Sequence, residues 1–197
     1  MYKRQGLIGG EKIGLVESDN FKKDIKDDYN LTFDYSKDGS LDMVNSYPDD
    51  IDYLFPSSQL ALELFKHNGG SYKESDIVFN TPIVLYSRKL VVDGLIKEGI
   101  VDKQDNVYYI DMVKLSKLMD EEKTWADLGI DDLYGQLLVD TTDPNKSNSG
   151  NMFLGLLANA LNGNKSITNK DLPIIKEKLK KIYTNIGYMQ PSSADMF

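Results

Sequence analysis

The sequence predicts an α/β fold with a mostly parallel sheet. Two observations carry this. Short apolar strand-like runs alternate with amphipathic helical stretches along the chain, the pattern of repeated βαβ units. Three serine-rich helix starts, at Ser40, at Ser57-Ser58 and at Ser147 to Gly150, each follow such a run. At 197 residues and 41% hydrophobic, the chain can build one large domain or two small lobes.

The elements follow in order. Lys12 to Val16 reads as a short strand. Ser18 to Asp28 reads as a charged surface helix, with Phe21 and Ile25 facing inward at i, i+4. Leu31 to Tyr35 alternates as a strand, and Ser40 to Val44 starts a short helix after Gly39. Ile51 to Phe55 is a strand broken by Pro56. Ser57 or Ser58 then opens a helix to His67, whose apolar face is Leu60, Leu62, Leu64 and Phe65; Asn68-Gly69-Gly70 closes it.

The second half repeats the pattern. Ile77 to Phe79 and Pro82 to Tyr86 read as strands, Lys89 to Glu98 as a helix closed by Gly99, and Val107 to Ile110 as a strand. Met112 to Met119 is a helix, and Trp125 and Leu128 sit in a packed connector. Gln136 to Asp140 reads as a strand and Gly150 to Leu161 as a helix. Asp171 to Tyr183 is a Lys-rich helix with Pro173 in its first turn.

Composition excludes several functions. A net charge of −8 argues against nucleic acid, which needs a basic face. With no cysteine there is no disulfide, thiolate metal site or cysteine nucleophile. No apolar run reaches the roughly 18 residues of a membrane span. HExxH, GxSxG, Walker A and GxGxxG patterns are absent. The single histidine, His67, reads as a surface residue at a helix end. Asp49-Asp50, Glu121-Glu122 and Asp131-Asp132 read as solvated charge and match no calcium loop. The expectation is no enzyme, with no catalytic residue, no metal and no cofactor.

Thr141 to Asn159 is the most informative stretch. It places a polar loop between a strand end and an apolar helix opening at Ser149-Gly150-Asn151. A helix N-terminus offers unpaired N–H groups and the positive end of the dipole, which suits a small polar or anionic ligand. Gly150 lacks a Cβ where something could approach the backbone. A serine at such a position caps the helix or holds a ligand, and spacing leaves both open. The carboxyl ends of strands in an α/β sheet open onto the crevice where ligands bind.

TDPNKSNSGNMFLGLLANAL resembles a stretch of bacterial extracellular solute-binding proteins of the type II periplasmic-binding-protein superfamily. GLIGGEKIGLVES, DYSKDGSLDMV, DYLFPSSQLALELF, FNTPIVLYSRKLVVDGLIKEGIV, TWADLG and IGYMQPSSADMF are similar to other pieces of that group, in the same order. The resemblance implies a two-lobed periplasmic-binding-protein-like fold with a mostly parallel sheet in each lobe. Lobe one spans 6–80 and is incomplete, lobe two spans 81–193, and the crossover lies near Asn80-Thr81-Pro82. Met1 to Gln5 resembles a translated sequencing adapter. A chain truncated at both ends is therefore expected, with the C-terminal return to lobe one and any signal segment outside it.

The implied function is capture of a small polar or anionic solute outside the cell and delivery to an ABC importer, by closure of two lobes around the ligand. The implied partners are the solute and an ABC transporter permease, with no nucleic acid and membrane association only through a segment absent from this chain. The implied location is extracellular or cell-surface, the periplasm in a Gram-negative organism. A ligand-sensing or adhesion-type surface protein on the same scaffold is the alternative. Candidate ligand-binding residues are Ser40, Ser57, Ser58, Thr142, Ser147, Ser149, Gly150 and Asn151. A dipole contact contributes about 0.3–1 kcal/mol when exposed, whereas micromolar binding needs about 8 kcal/mol, so several must converge.

Overall fold

A computed structural model describes residues 1–196; Phe197, the last residue of the C-terminal segment compared above, lies outside the described residues. The class is α/β. The chain divides into two compact units, Met1–Asn80 and Thr81–Phe197.

The first unit holds a three-stranded parallel sheet in the order β2-β1-β3. β1 is Tyr2–Ile8, β2 is Leu31–Lys37 and β3 is Tyr53–Phe55. β1 pairs with β2 from Tyr2↔Leu31 to Ile8↔Lys37, and with β3 from Gly6↔Tyr53 to Ile8↔Phe55. Residues 2–5 are therefore part of the central strand. Arg4 bonds Asp52 at 2.8 Å, and Asp52 accepts from the Gln5 amide at 2.9 Å.

The strand expected at Lys12 to Val16 is instead helical. A 3-10 turn, Gly10–Lys12, runs into α1, Ile13–Val16. The apolar run that pairs ends one turn earlier, at Ile8, because Gly9-Gly10 turns the chain off the sheet. Past that point Ile13 to Val16 has no neighbouring strand to bond.

The remaining elements of this unit are α2 Asp19–Tyr29, α3 Asp42–Asn45 and α4 Gln59–His67. α2 closes on Asn30 in the left-handed conformation. Phe21 and Ile25 are only half-buried, with Phe21 6.1 Å from the Phe33 ring. The core on the other face gathers Leu7, Met43, Val44, Ala61 and Phe65. Of the apolar face expected on α4, Leu60 is exposed.

Thr81–Phe197 contains α5 Lys89–Lys97, β4 Val101–Gln104, β5 Val107–Ile110 and α6 Met112–Asp120. A 3-10 turn follows at Ala126–Leu128, then α7 Asn148–Leu161 and α8 Leu172–Ile186. Its core is larger: Leu95, Leu115, Met119, Leu128, Leu137, Phe153, Leu157 and Ile182 are all buried, with Trp125 packed against them. Each such side chain contributes about 1.5–3 kcal/mol by leaving water.

The mostly parallel sheet expected for lobe two is not present among the described residues. The only ladder there is the antiparallel β4–β5 hairpin, from Val101↔Ile110 to Gln104↔Val107. Its tight turn carries Asp105 at φ 54°, a left-handed position that suits Asp. Gln136 to Asp140 forms no strand; Gln136 makes one isolated bridge to Thr124. Leu137 is fully buried there, so its apolar character serves the core and not a ladder. Ile77 to Phe79 and Pro82 to Tyr86 are not strands either, and Ile77, Val78, Phe79, Val84 and Tyr86 are exposed. Apolar β-branched runs suit a strand, but without a neighbour to pair with they stay irregular.

Candidate functional site

β1 sits between β2 and β3: the chain passes from β1 to β2 on one side, then crosses over to β3 on the other. The carboxyl ends of β1 and β3 thus lie side by side, at the sheet edge where α/β proteins bind ligands. The loop after β1, Gly9 to Lys12, meets the loop after β3, Pro56 to Ser58. The loop after β2, Asp38 to Ser40, joins them from the far side.

Ser40 and Ser57 are brought together. The Ser57 amide donates to Ser40 Oγ at 2.9 Å, and Ser40 is buried. The Ser57 hydroxyl donates to the Glu11 carboxylate, and Lys12 Nζ donates to Ser57 Oγ at 2.9 Å. Lys12 also pairs with Glu11 and lies 4.9 Å over the Phe55 ring. Burial raises the Glu11 pKa, but the bonds from Lys12 and Ser57 outweigh it and hold the group below its ordinary value. Ser58 is the N-cap of α4, yet its hydroxyl makes no capping bond, and its oxygen is buried without a hydrogen-bond partner.

Lys12 was missed from sequence because Lys12 to Val16 reads as strand, and Glu11 because it stands just ahead of that run. The available signal was Gly9-Gly10 directly after the apolar pair Leu7-Ile8. A Cβ on Gly9 would lie 2.7 Å from both Glu11 Oε1 and Ser57 Oγ, so glycine leaves room for the carboxylate.

Ser147 to Asn151, the opening of α7, belongs to the unit Thr81–Phe197. Ser147 Oγ and Ser149 Oγ are 2.9 Å apart, and Ser149 Oγ is 3.3 Å from Thr142 Oγ1. Ser147 is the N-cap of α7 and, like Ser58, makes no side-chain capping bond. Thr142 is fully buried. Asn151 Nδ2 donates to the Pro144 carbonyl at 3.5 Å, a long bond. Gly150 is buried, and a Cβ there would be 2.2 Å from the Thr142 carbonyl oxygen. Packing against Thr142 accounts for the glycine without a ligand.

Elsewhere in the first unit, an open depression of about 350 Å³ lies among Val16, Lys22, Phe33 and Tyr35 and involves none of the serines. His67 is exposed in the last turn of α4. Among the described residues, no group of three or more His, Asp or Glu side chains could hold a metal ion. No helix of the described residues is long and apolar enough to cross a membrane. No family model, curated protein or solved structure matches the chain.

Proposed function

We propose that this protein captures a small polar or anionic solute outside the cell and passes it to an ABC importer, with a two-lobed periplasmic-binding-protein-like architecture that closes on the solute. The ordered resemblance across the chain motivates the reading. One observation supports it best: the serines that open α4 and α7 do not cap those helices. A capping serine spends its oxygen on a backbone amide of the first turn. Ser58 Oγ has no partner, and Ser147 Oγ is engaged only with another hydroxyl among the described contacts. Hydroxyls held at helix openings, near positive dipole ends, suit recognition of a polar group.

The test is a calorimetric screen of sugars, amino acids, carboxylates and oxyanions against the full chain. One solute class should bind, and Ser57→Ala and Ser147→Ala should each weaken it. No binding from any class, in a protein shown to be folded, would overturn the proposal.

A further inference from the structure

We propose that Lys12 is the anchor for an anionic group of the solute, a carboxylate or a phosphoryl group, and that the Glu11 carboxylate occupies that position until the solute displaces it. The inference rests on the solute-capture reading and narrows it to anionic ligands. Lys12 is only 8% exposed, at the carboxyl end of the central strand. A buried ammonium requires an anion. The one it has sits on the preceding residue, Glu11, with a side chain 58% exposed. The charge that must stay is thus held firmly, and its partner is free to leave toward water.

The carboxylate occupies a formed cradle. It receives Lys12 and Ser57, and it fills the space a Cβ on Gly9 would take. Further donors surround it. Ser58 Oγ is buried and unpartnered at the opening of α4. Lys37 reaches the neighbouring Gly10, with its ammonium 3.4 Å from where a Cβ would be, and makes no ion pair among the described residues. The other carboxylates at this edge lie against Gly39: Asp38 accepts from its amide at 2.8 Å, and Asp42 covers its Cα. An incoming carboxylate or phosphoryl group would replace Glu11 like for like on these donors and keep Lys12 neutralised.

The experiment follows backbone amide shifts of the full chain while inorganic phosphate, and separately acetate, is added. Shifts should appear at Gly9 to Lys12 and at Ser57-Ser58; the anion that titrates them at lower concentration identifies the ligand chemistry. Glu11→Gln should tighten binding, by about tenfold if the carboxylate fills the cradle about nine-tenths of the time. Lys12→Met should lose it. Absence of shifts with either anion in Glu11→Gln, or wild-type titration of Lys12→Met, overturns the proposal. Should Lys12→Met fail to fold, Ser58→Ala decides, since it removes a hydroxyl that no protein group uses; unchanged anion affinity there overturns the proposal equally. A neutral solute that shifts the same amides and is not displaced by either anion would overturn the anionic assignment while leaving solute capture standing.

Discussion

Gly150 lies directly against the backbone of Thr142: a Cβ on it would come within 2.2 Å of the Thr142 carbonyl oxygen and 2.8 Å of its Oγ1. Gly150→Ala must push α7 off this loop. Overpacking of this kind costs about 1–3 kcal/mol. Ser149→Ala removes only a hydroxyl from a partly open cluster and should stay within about 0.5 kcal/mol of wild type. Thermal unfolding of the two variants checks this; equal midpoints would show that the contact is not tight.

Helix openings should respond unequally to alanine. Asp111 caps α6 in earnest, accepting from the Val113 amide at 3.0 Å and the Lys114 amide at 3.1 Å. Asp111→Ala should cost about 1 kcal/mol. Ser58→Ala and Ser147→Ala should cost clearly less in urea unfolding, because neither hydroxyl bonds a backbone amide of its helix. Equal losses at all three would mean that the serines cap after all.

Stability should fall in acid. Burial raises the pKa of Glu11 and of Asp120, but Lys12 and Ser57 on one, and Lys178 and Lys181 on the other, outweigh it and hold both below their ordinary 4.5 and 3.8. A lowered native pKa means the unfolded chain takes up the proton first. This stabilisation is therefore complete above about pH 4.5 and disappears as pH falls through the native values. Melting temperatures from pH 7 to 3 should show it, and Glu11→Gln should flatten part of the slope. A pH-independent melt would contradict the ion pairs. Burial pushes Tyr183 up to about 12, and burial with Asp34 and Asp52 nearby does the same for Tyr53, so stability should fall again above about pH 10.

Trypsin should cut first between Ser71 and Arg88. This stretch has no regular structure, and every residue in it is exposed, including Lys73 and Arg88. Such segments open at little free-energy cost. Mass spectrometry of early digests checks the order. First cuts inside α7 or α8 would count against it.

The helices were legible because period 3.6 is written into local spacing: α2, α4, α5, α6, α7 and α8 lie within a few residues of where the pattern puts them. Strands were legible only where the sequence also supplied a partner. Leu31 to Tyr35 pairs with β1 along its whole length, and Val107 to Ile110 pairs with β4. Ile77 to Phe79, Pro82 to Tyr86 and Gln136 to Asp140 have the right composition and no ladder, since pairing is a property of two segments. β1 was hidden for the opposite reason: its first residues, Tyr2 to Arg4, are exposed and polar and make no apolar alternation. The same error hid Glu11 and Lys12. The serine positions could be read from capping chemistry, but where their hydroxyls point depends on Ser57 meeting Ser40 and Glu11, contacts 17 and 46 residues apart in sequence.

The central place of β1 also bears on how the chain comes off the ribosome. Leu7 and Ile8 are made well before the strand that closes their second side, which ends at Phe55. At about 5–20 residues per second, that wait lasts roughly 2–9 s. Until β2 is made both edges of β1 are unbonded, and from then until β3 is made one still is. A nascent chain of this kind invites holding chaperones and favours slow, cool expression, because any neighbouring chain with a free strand edge can occupy the position reserved for β3.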